Sequence, residues 1–218
     1  MISRRNFLKA LPASALLLSS CAAQSAPANT DKLVFSHSYP LDYATQFTAD
    51  CYEGGYTLLS LPDSDQKFLV VPEDAAEVDA LPDGVTVLRQ PVQNIYLVST
   101  SVMDLFIHLD ALDTITLSGT KAEGWYLDEA KNAMEAGRIA YAGKYSAPDY
   151  EQILAANCSL AIENTMIFHT PEVKEQLERF GIPALVERSS YESGPLARME
   201  WIKFWGILLG KEALAEQL

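Results

Sequence analysis

From Ile95 onward the chain alternates short apolar runs with stretches of helical period, and that alternation most narrows its fold. The runs 95–99, 114–117, 138–141 and 159–162 are followed by helix-like stretches at 102–109, 127–136, 150–155 and 172–180, and 183–186 precedes a last helix. Runs this short and this apolar suit strands buried on both faces, the habit of parallel sheets. Consecutive parallel strands need a crossover, and a helix supplies it in the right-handed sense. The expected class is therefore α/β, a Rossmann-like parallel sheet lobe flanked by helices. The punctuation agrees: Pro148 and Pro171 suit first helical turns, while Gly137 and Gly181 suit helix stops.

Ahead of this region the texture is β-rich. Residues 33–36 read as a strand, 46–60 as a β-hairpin turning on Gly54-Gly55, and 67–71 as another short strand. Pro62, Pro72, Pro82 and Pro91 break up any helical alternative. The β-hairpin region thus spans 46–71 inside a lobe of 32–194.

The end of the chain raises a packing problem. A helix opened by Pro195 and continued to Leu218 would be about 36 Å long. Seven of the nine residues from Trp201 to Leu209 are apolar, so the helix must be buried nearly all round. One lobe covers one side of such a rod. The expectation is a long C-terminal helix, 195–218, that lacks its second lobe or binds a separate chain with its bare side.

The opening residues speak to compartment. Arg4-Arg5 before Phe7-Leu8-Lys9, then an apolar run to Leu18, reads as a twin-arginine export signal over 1–20. The run is far shorter than the roughly 20 residues a bilayer span needs. Leu18-Ser19-Ser20-Cys21 looks like a lipobox, with Cys21 the lipidated residue and 21–31 a flexible tether. An exported chain, lipid-anchored to the outer face of the cytoplasmic membrane, is the expectation.

The chain has 218 residues with 16 basic and 29 acidic side chains, net −13. Removing 1–20 takes away Arg4, Arg5 and Lys9, leaving 13 basic against 29 acidic residues and a net charge of −16. Such a field argues against nucleic acid and requires a local basic cluster for any anionic ligand. Cys51 and Cys158 read as small buried side chains, with a disulfide between them the alternative open to an exported chain. His37, His108 and His169 share no metal-binding spacing, so no metal site is expected. No nucleophile elbow, dinucleotide fingerprint or P-loop is present, so neither enzymatic activity nor a cofactor is expected.

Three stretches carry a resemblance: Tyr141-Ala-Gly-Lys-Tyr-Ser-Ala-Pro-Asp-Tyr-Glu151, Ile162-Glu-Asn-Thr-Met166, and Arg188-Ser-Ser-Tyr-Glu-Ser193 leading into Arg198-Met-Glu-Trp-Ile-Lys203. Gly181-Ile-Pro183 before a strand adds a fourth. Through these the chain resembles the substrate-binding proteins of ABC importers for ferric siderophores, haem and cobalamin. The resemblance covers 95–218 well and the hairpin region more loosely. It implies two α/β lobes joined by a rigid helix, of which this chain looks like the first lobe plus that helix. It also implies permease and ATPase partners, an iron chelate as cargo, and a docking role for Glu151 at the start of a helix. Negative charge favoured by the helix N-terminus accounts for Glu151 equally well.

In an open parallel sheet, ligands sit beyond the carboxyl ends of the strands. The side chains expected there are Lys144, Tyr145, Asn164, Thr165, Arg188, Ser190 and Tyr191. Cations, hydroxyls, an amide and phenol rings suit a bulky, oxygen-rich, partly aromatic anion. Solvated surface charge is the competing account of Lys144 and Arg188, and Tyr141 and Trp125 read as core. A free metal-ion-binding protein of the same two-lobe layout is a further alternative.

Overall fold

The structure, a computed structural model, describes residues 33–78 and 81–218. Arg4, Arg5, Cys21 and the tether 21–31 lie outside these residues. No described helix is long and apolar enough to cross a membrane.

The N-terminal part is a five-stranded sheet in the order β1-β2-β3-β4-β5. Its strands are β1 (Phe35–Ser38), β2 (Thr48–Tyr52), β3 (Thr57–Leu61), β4 (Gln66–Val71) and β5 (Val85–Arg89). The first four are antiparallel neighbours and β5 joins β4 in parallel. The expected hairpin is β2–β3, and its turn places both Gly54 and Gly55 at φ +83°, where a side chain would be strained. Burial alternates strictly along β3, as a sheet with one face on the core requires. The first strand begins two residues later than the apolar run suggests.

The second sheet is five-stranded and all parallel, in the order β12-β11-β6-β7-β8. It comprises β6 (Ile95–Leu97), β7 (Ile115–Ser118), β8 (Ala140–Tyr141), β11 (Leu160–Glu163) and β12 (Ala184–Val186). Every residue of β6, β11 and β12 is buried, so these strands are covered on both faces. Helices α1 (Thr100–His108), α2 (Asp128–Glu135), α3 (Tyr150–Ala155) and α4 (Pro171–Arg179) supply the cover. The α/β class expected from the alternation is the one observed. Gly137 and Gly181 stop helices with φ of +73° and +77°. Pro171 opens α4, whereas Pro148 belongs to a two-stranded ribbon of β9 (Gly143–Lys144) and β10 (Ala147–Pro148). Asp149, not Pro148, begins α3, because its carboxylate accepts the Gln152 N–H at 3.0 Å.

The C-terminal segment departs from the expected rod. It forms α5 (Pro195–Met199), α6 (Trp201–Leu209) and α7 (Glu212–Ala215). At Glu200 the bonding tightens, with the Lys203 N–H donating to the Glu200 carbonyl at 3.0 Å. Gly210, at φ +68°, ends α6 in the left-handed conformation and turns the chain back, so α7 packs on α6.

The expected bare side of this helix is a second correction. Trp201, Ile202, Phe204, Trp205, Ile207 and Leu208 are all buried within the chain. The N-terminal sheet provides the missing cover: Phe47 stacks edge-on against Trp201 at 5.0 Å and Phe204 at 5.2 Å. On the other flank Phe106 of α1 meets Trp205 at 5.5 Å. One apolar cluster therefore joins Leu59, Leu61 and Phe68 of the first sheet to Ile95, Leu160 and Leu185 of the second, with α6 among them. The opposite face of the parallel sheet has its own cluster under α3 and α4, including Tyr96, Ala161, Val173 and Leu177.

Candidate functional site

The loops that leave the carboxyl ends of the parallel strands share one edge, since parallel strands all end on the same side. Those after β11 and β12 touch directly: the Tyr191 hydroxyl donates to Thr165 Oγ1 at 3.2 Å. Asn164 caps the turn that carries Thr165, its side-chain oxygen accepting the Met166 N–H at 2.9 Å. Ser190 is exposed, and its carbonyl accepts from Arg198 at 3.1 Å. The ribbon 143–148 leaves the far strand β8 but folds back over the sheet. The Tyr96 hydroxyl of β6 holds the Gly143 carbonyl at 2.8 Å, and Tyr145 packs on the cluster beneath. Lys144 is exposed at its tip.

Arg188 is engaged within the chain. Its guanidinium donates to Gln46 Oε1 at 3.0 Å and to Asp63 Oδ2 at 3.3 Å, and it lies over the Tyr191 ring at 4.5 Å. The side chain is 12% exposed. Its position follows from the first sheet, because Gln46 precedes β2 and Asp63 lies in the β3–β4 turn. The segment 42–46 is fixed in turn by two buried carboxylates. Glu192 accepts the Thr45 and Gln46 N–H groups at 3.0 and 2.9 Å, and the Trp201 indole N–H at 2.9 Å. Glu200 accepts the N–H groups of Asp42, Tyr43 and Ala44 at 2.7–2.8 Å and the Lys203 ammonium at 2.8 Å. Burial alone would raise the Glu200 pKa, but these donors outweigh it and bring it down to about 2.

The other serines at this edge are committed. Ser99 and Ser101, at the start of α1, donate to the buried Glu187 carboxylate at 2.6 and 2.8 Å. Ser118 is bonded to Thr120 and to the Trp125 indole. Trp125 is core, as expected; Tyr141 is not. It ends the edge strand β8, is 38% exposed, and carries the Lys121 ammonium 5.4 Å from its ring centroid. With no strand beyond β8 among the described residues to cover it, Tyr141 helps line a shallow groove of about 440 Å³ with Lys121, Met134 and Ile139.

Glu151 is exposed in the first turn of α3. His37, His108 and His169 stand on separate elements: β1, the end of α1, and the turn after β11. Cys51 and Cys158 are both free; Cys158 is buried and Cys51 half-buried. Asp63, Gln46, Glu187 and Lys121 escaped the sequence reading. The turn signal Pro62-Asp63 was legible, but its pairing with a cation 125 residues away was not.

No protein-family model matches the chain. The chain is 25% identical over 168 residues to an uncharacterized lipoprotein of Methanocaldococcus jannaschii, covering 70% of this chain and 39% of the relative. Among solved structures it is similar to the periplasmic heme-binding protein HutB of Vibrio cholerae, with 16% identity and a TM-score of 0.45 over 57% of this chain and 44% of that one. The iron-uptake ABC transporter substrate-binding protein PiuA of Streptococcus pneumoniae gives 15% identity and 0.45 over 57% and 42%. The chain thus spans about two fifths of the length of the relatives it matches.

Proposed function

We propose that this chain is the extracytoplasmic, lipid-anchored substrate-binding component of an ABC importer. It binds a ferric siderophore or similar metal chelate at the carboxyl edge of the parallel sheet and delivers it to a permease, with Glu151 part of the docking surface. It acts by binding rather than catalysis, and the iron chelate is cargo, not cofactor. The observation that carries this reading is the contact between the loops after β11 and β12, where the half-exposed Tyr191 ring brings its hydroxyl to Thr165 Oγ1. A third loop, after β8, leaves the same edge of a parallel sheet and carries the exposed cation Lys144. Arg188 contributes by holding that ring in place, and Lys144 by meeting the anion. The lipobox at Cys21 and the lipoprotein relative support the anchor. An interaction subunit docking through its terminal helix is disfavoured, because α6 is buried inside the chain.

The test is fluorescence titration of the mature chain with an anionic ferric triscatecholate, a neutral ferric trihydroxamate, heme and cobalamin. Saturable quenching of Trp or Tyr emission is expected with at least one. Lys144→Ala should weaken the anionic chelate by roughly 1–3 kcal/mol and the neutral one much less. Absence of saturable quenching across the whole panel would reject the ligand class. Replacing Cys21 by Ala should release the protein from membranes, and retention of the variant there would reject the anchor.

A further inference from the structure

One acidic group at this edge stands apart from the polar pairings described above. Glu163 ends β11, is fully buried, and neither carboxyl oxygen has a hydrogen-bond partner among the described residues. Side chains alternate along a strand, so Glu163 shares the face of Ala161, which belongs to the cluster under α3 and α4. Over that face lies the ribbon 143–148. Two bonds of 2.8 Å pin it: the Tyr96 hydroxyl to the Gly143 carbonyl, and the Asp149 N–H to the Ala142 carbonyl. The ribbon closes tightly, since a Cβ on Gly143 would lie 2.3 Å from the Ala147 carbonyl oxygen.

The groups around Glu163 do not neutralise it. Tyr96 on β6 and Tyr150 on α3 feel its charge, which adds to burial in raising both phenol pKa values. Tyr141 and Cys158 act on Tyr96, and Glu172 of α4 acts on Tyr150. Glu187, just after the neighbouring strand β12, is committed to Ser99, Ser101 and the Ser189 N–H. On the ribbon itself, Lys144 points its charge to an exposed position and Tyr145 is half-buried. Burial without a partner pushes the Glu163 carboxyl up to about 8.

We propose that Glu163 is a proton-dependent latch for the ribbon 143–148, which lies closed over the neutral acid and opens to hydrate the ionised one. The closed form keeps its proton up to about pH 8, while an opened, solvated carboxyl titrates near the ordinary glutamate value of about 4.3. Between these values the closed form binds more protons. Closure therefore weakens as pH rises, by up to about tenfold per unit, and levels off above the upper value. The ribbon carries Lys144 and Tyr145, so the latch sets how these two side chains are presented. It is a property of the chain whatever ligand it takes.

Amide exchange by NMR on the whole mature chain tests the latch, with rates converted to protection factors between pH 5 and 9. Protection of Asp149 and Ala147 should fall by up to about tenfold per unit to pH 8, while β3 amides stay level. In Glu163→Gln the ribbon amides should lose this slope. A flat wild-type ribbon, an equal slope in the variant, or a parallel fall in β3 would each overturn the proposal. Should the variant not fold, the side-chain carboxyl ¹³C shift of wild-type Glu163 decides. A midpoint near 8, where ribbon protection stops falling, supports the latch, and a midpoint near 4 to 5 rejects it.

Discussion

Glu200 and Glu192 hold a segment of backbone, 42–46, that has no regular structure to satisfy its N–H groups. Each carboxylate collects several donors, and charge-assisted bonds of this kind are the stronger ones. Removing Glu200's charge by Glu200→Gln should cost about 2–3 kcal/mol in urea unfolding at pH 7, since one amide oxygen cannot serve three N–H groups. The sign with pH follows from its depressed pKa: the contribution is present above the ordinary glutamate value and is lost as pH falls toward about 2. Wild-type stability should therefore fall over that acid window more steeply than that of the variant. Equal slopes would show that another group carries the acid sensitivity. Residue chemistry was legible in part. Arg188 stood out as a cation at a strand end, but its partners Gln46 and Asp63 are 142 and 125 residues distant, and no local pattern encodes such pairings.

At the scale of elements, the strand–helix alternation after Ile95 was readable because period and length differ sharply between buried strands and amphipathic helices. The final helix was misjudged. Gly210 lies inside a run with good helical composition, and whether such a glycine is crossed or used as a stop depends on what the next turn can pack against. Here α7 folds back so that Ala215 sits over Gly206, where a Cβ would come within 2.6 Å of the Ala215 Cβ. Gly206→Ala should improve α6 by its intrinsic propensity, yet push α7 away. We expect a net loss of about 1 kcal/mol and faster amide exchange at Ala215 and Glu216. Unchanged exchange there would mean that α7 is held by contacts other than this close approach.

For the whole molecule, the apolar cluster around α6 joins side chains of both sheets in one core, so the two should unfold together. Trp201 touches Phe47 from the N-terminal sheet side and donates its indole N–H to Glu192, so it serves both packing and the polar anchor. Trp201→Ala should cost about 3–5 kcal/mol, the range for deleting a large buried aromatic side chain. Far-UV circular dichroism and fluorescence of the remaining tryptophans should still report one shared, lower transition. Two separated transitions would show that the sheets are independent, and would restore the idea that α6 needs a cover from outside.

What the sequence determined by itself was local: which runs are strands, where helices begin, and that the segment from Trp201 to Leu209 cannot face water. These follow from period, glycine and proline placement, and hydrophobicity, all properties of neighbours along the chain. What covers that segment was decided by tertiary structure, because a helix apolar on every side accepts any complementary apolar surface, and its own N-terminal sheet reaches it first. The candidate site divides the same way. Strand ends announced which loops leave one edge, while long-range pairing decided that Arg188 is occupied, and tertiary packing left Lys144 exposed and Glu163 buried without a partner among the described residues.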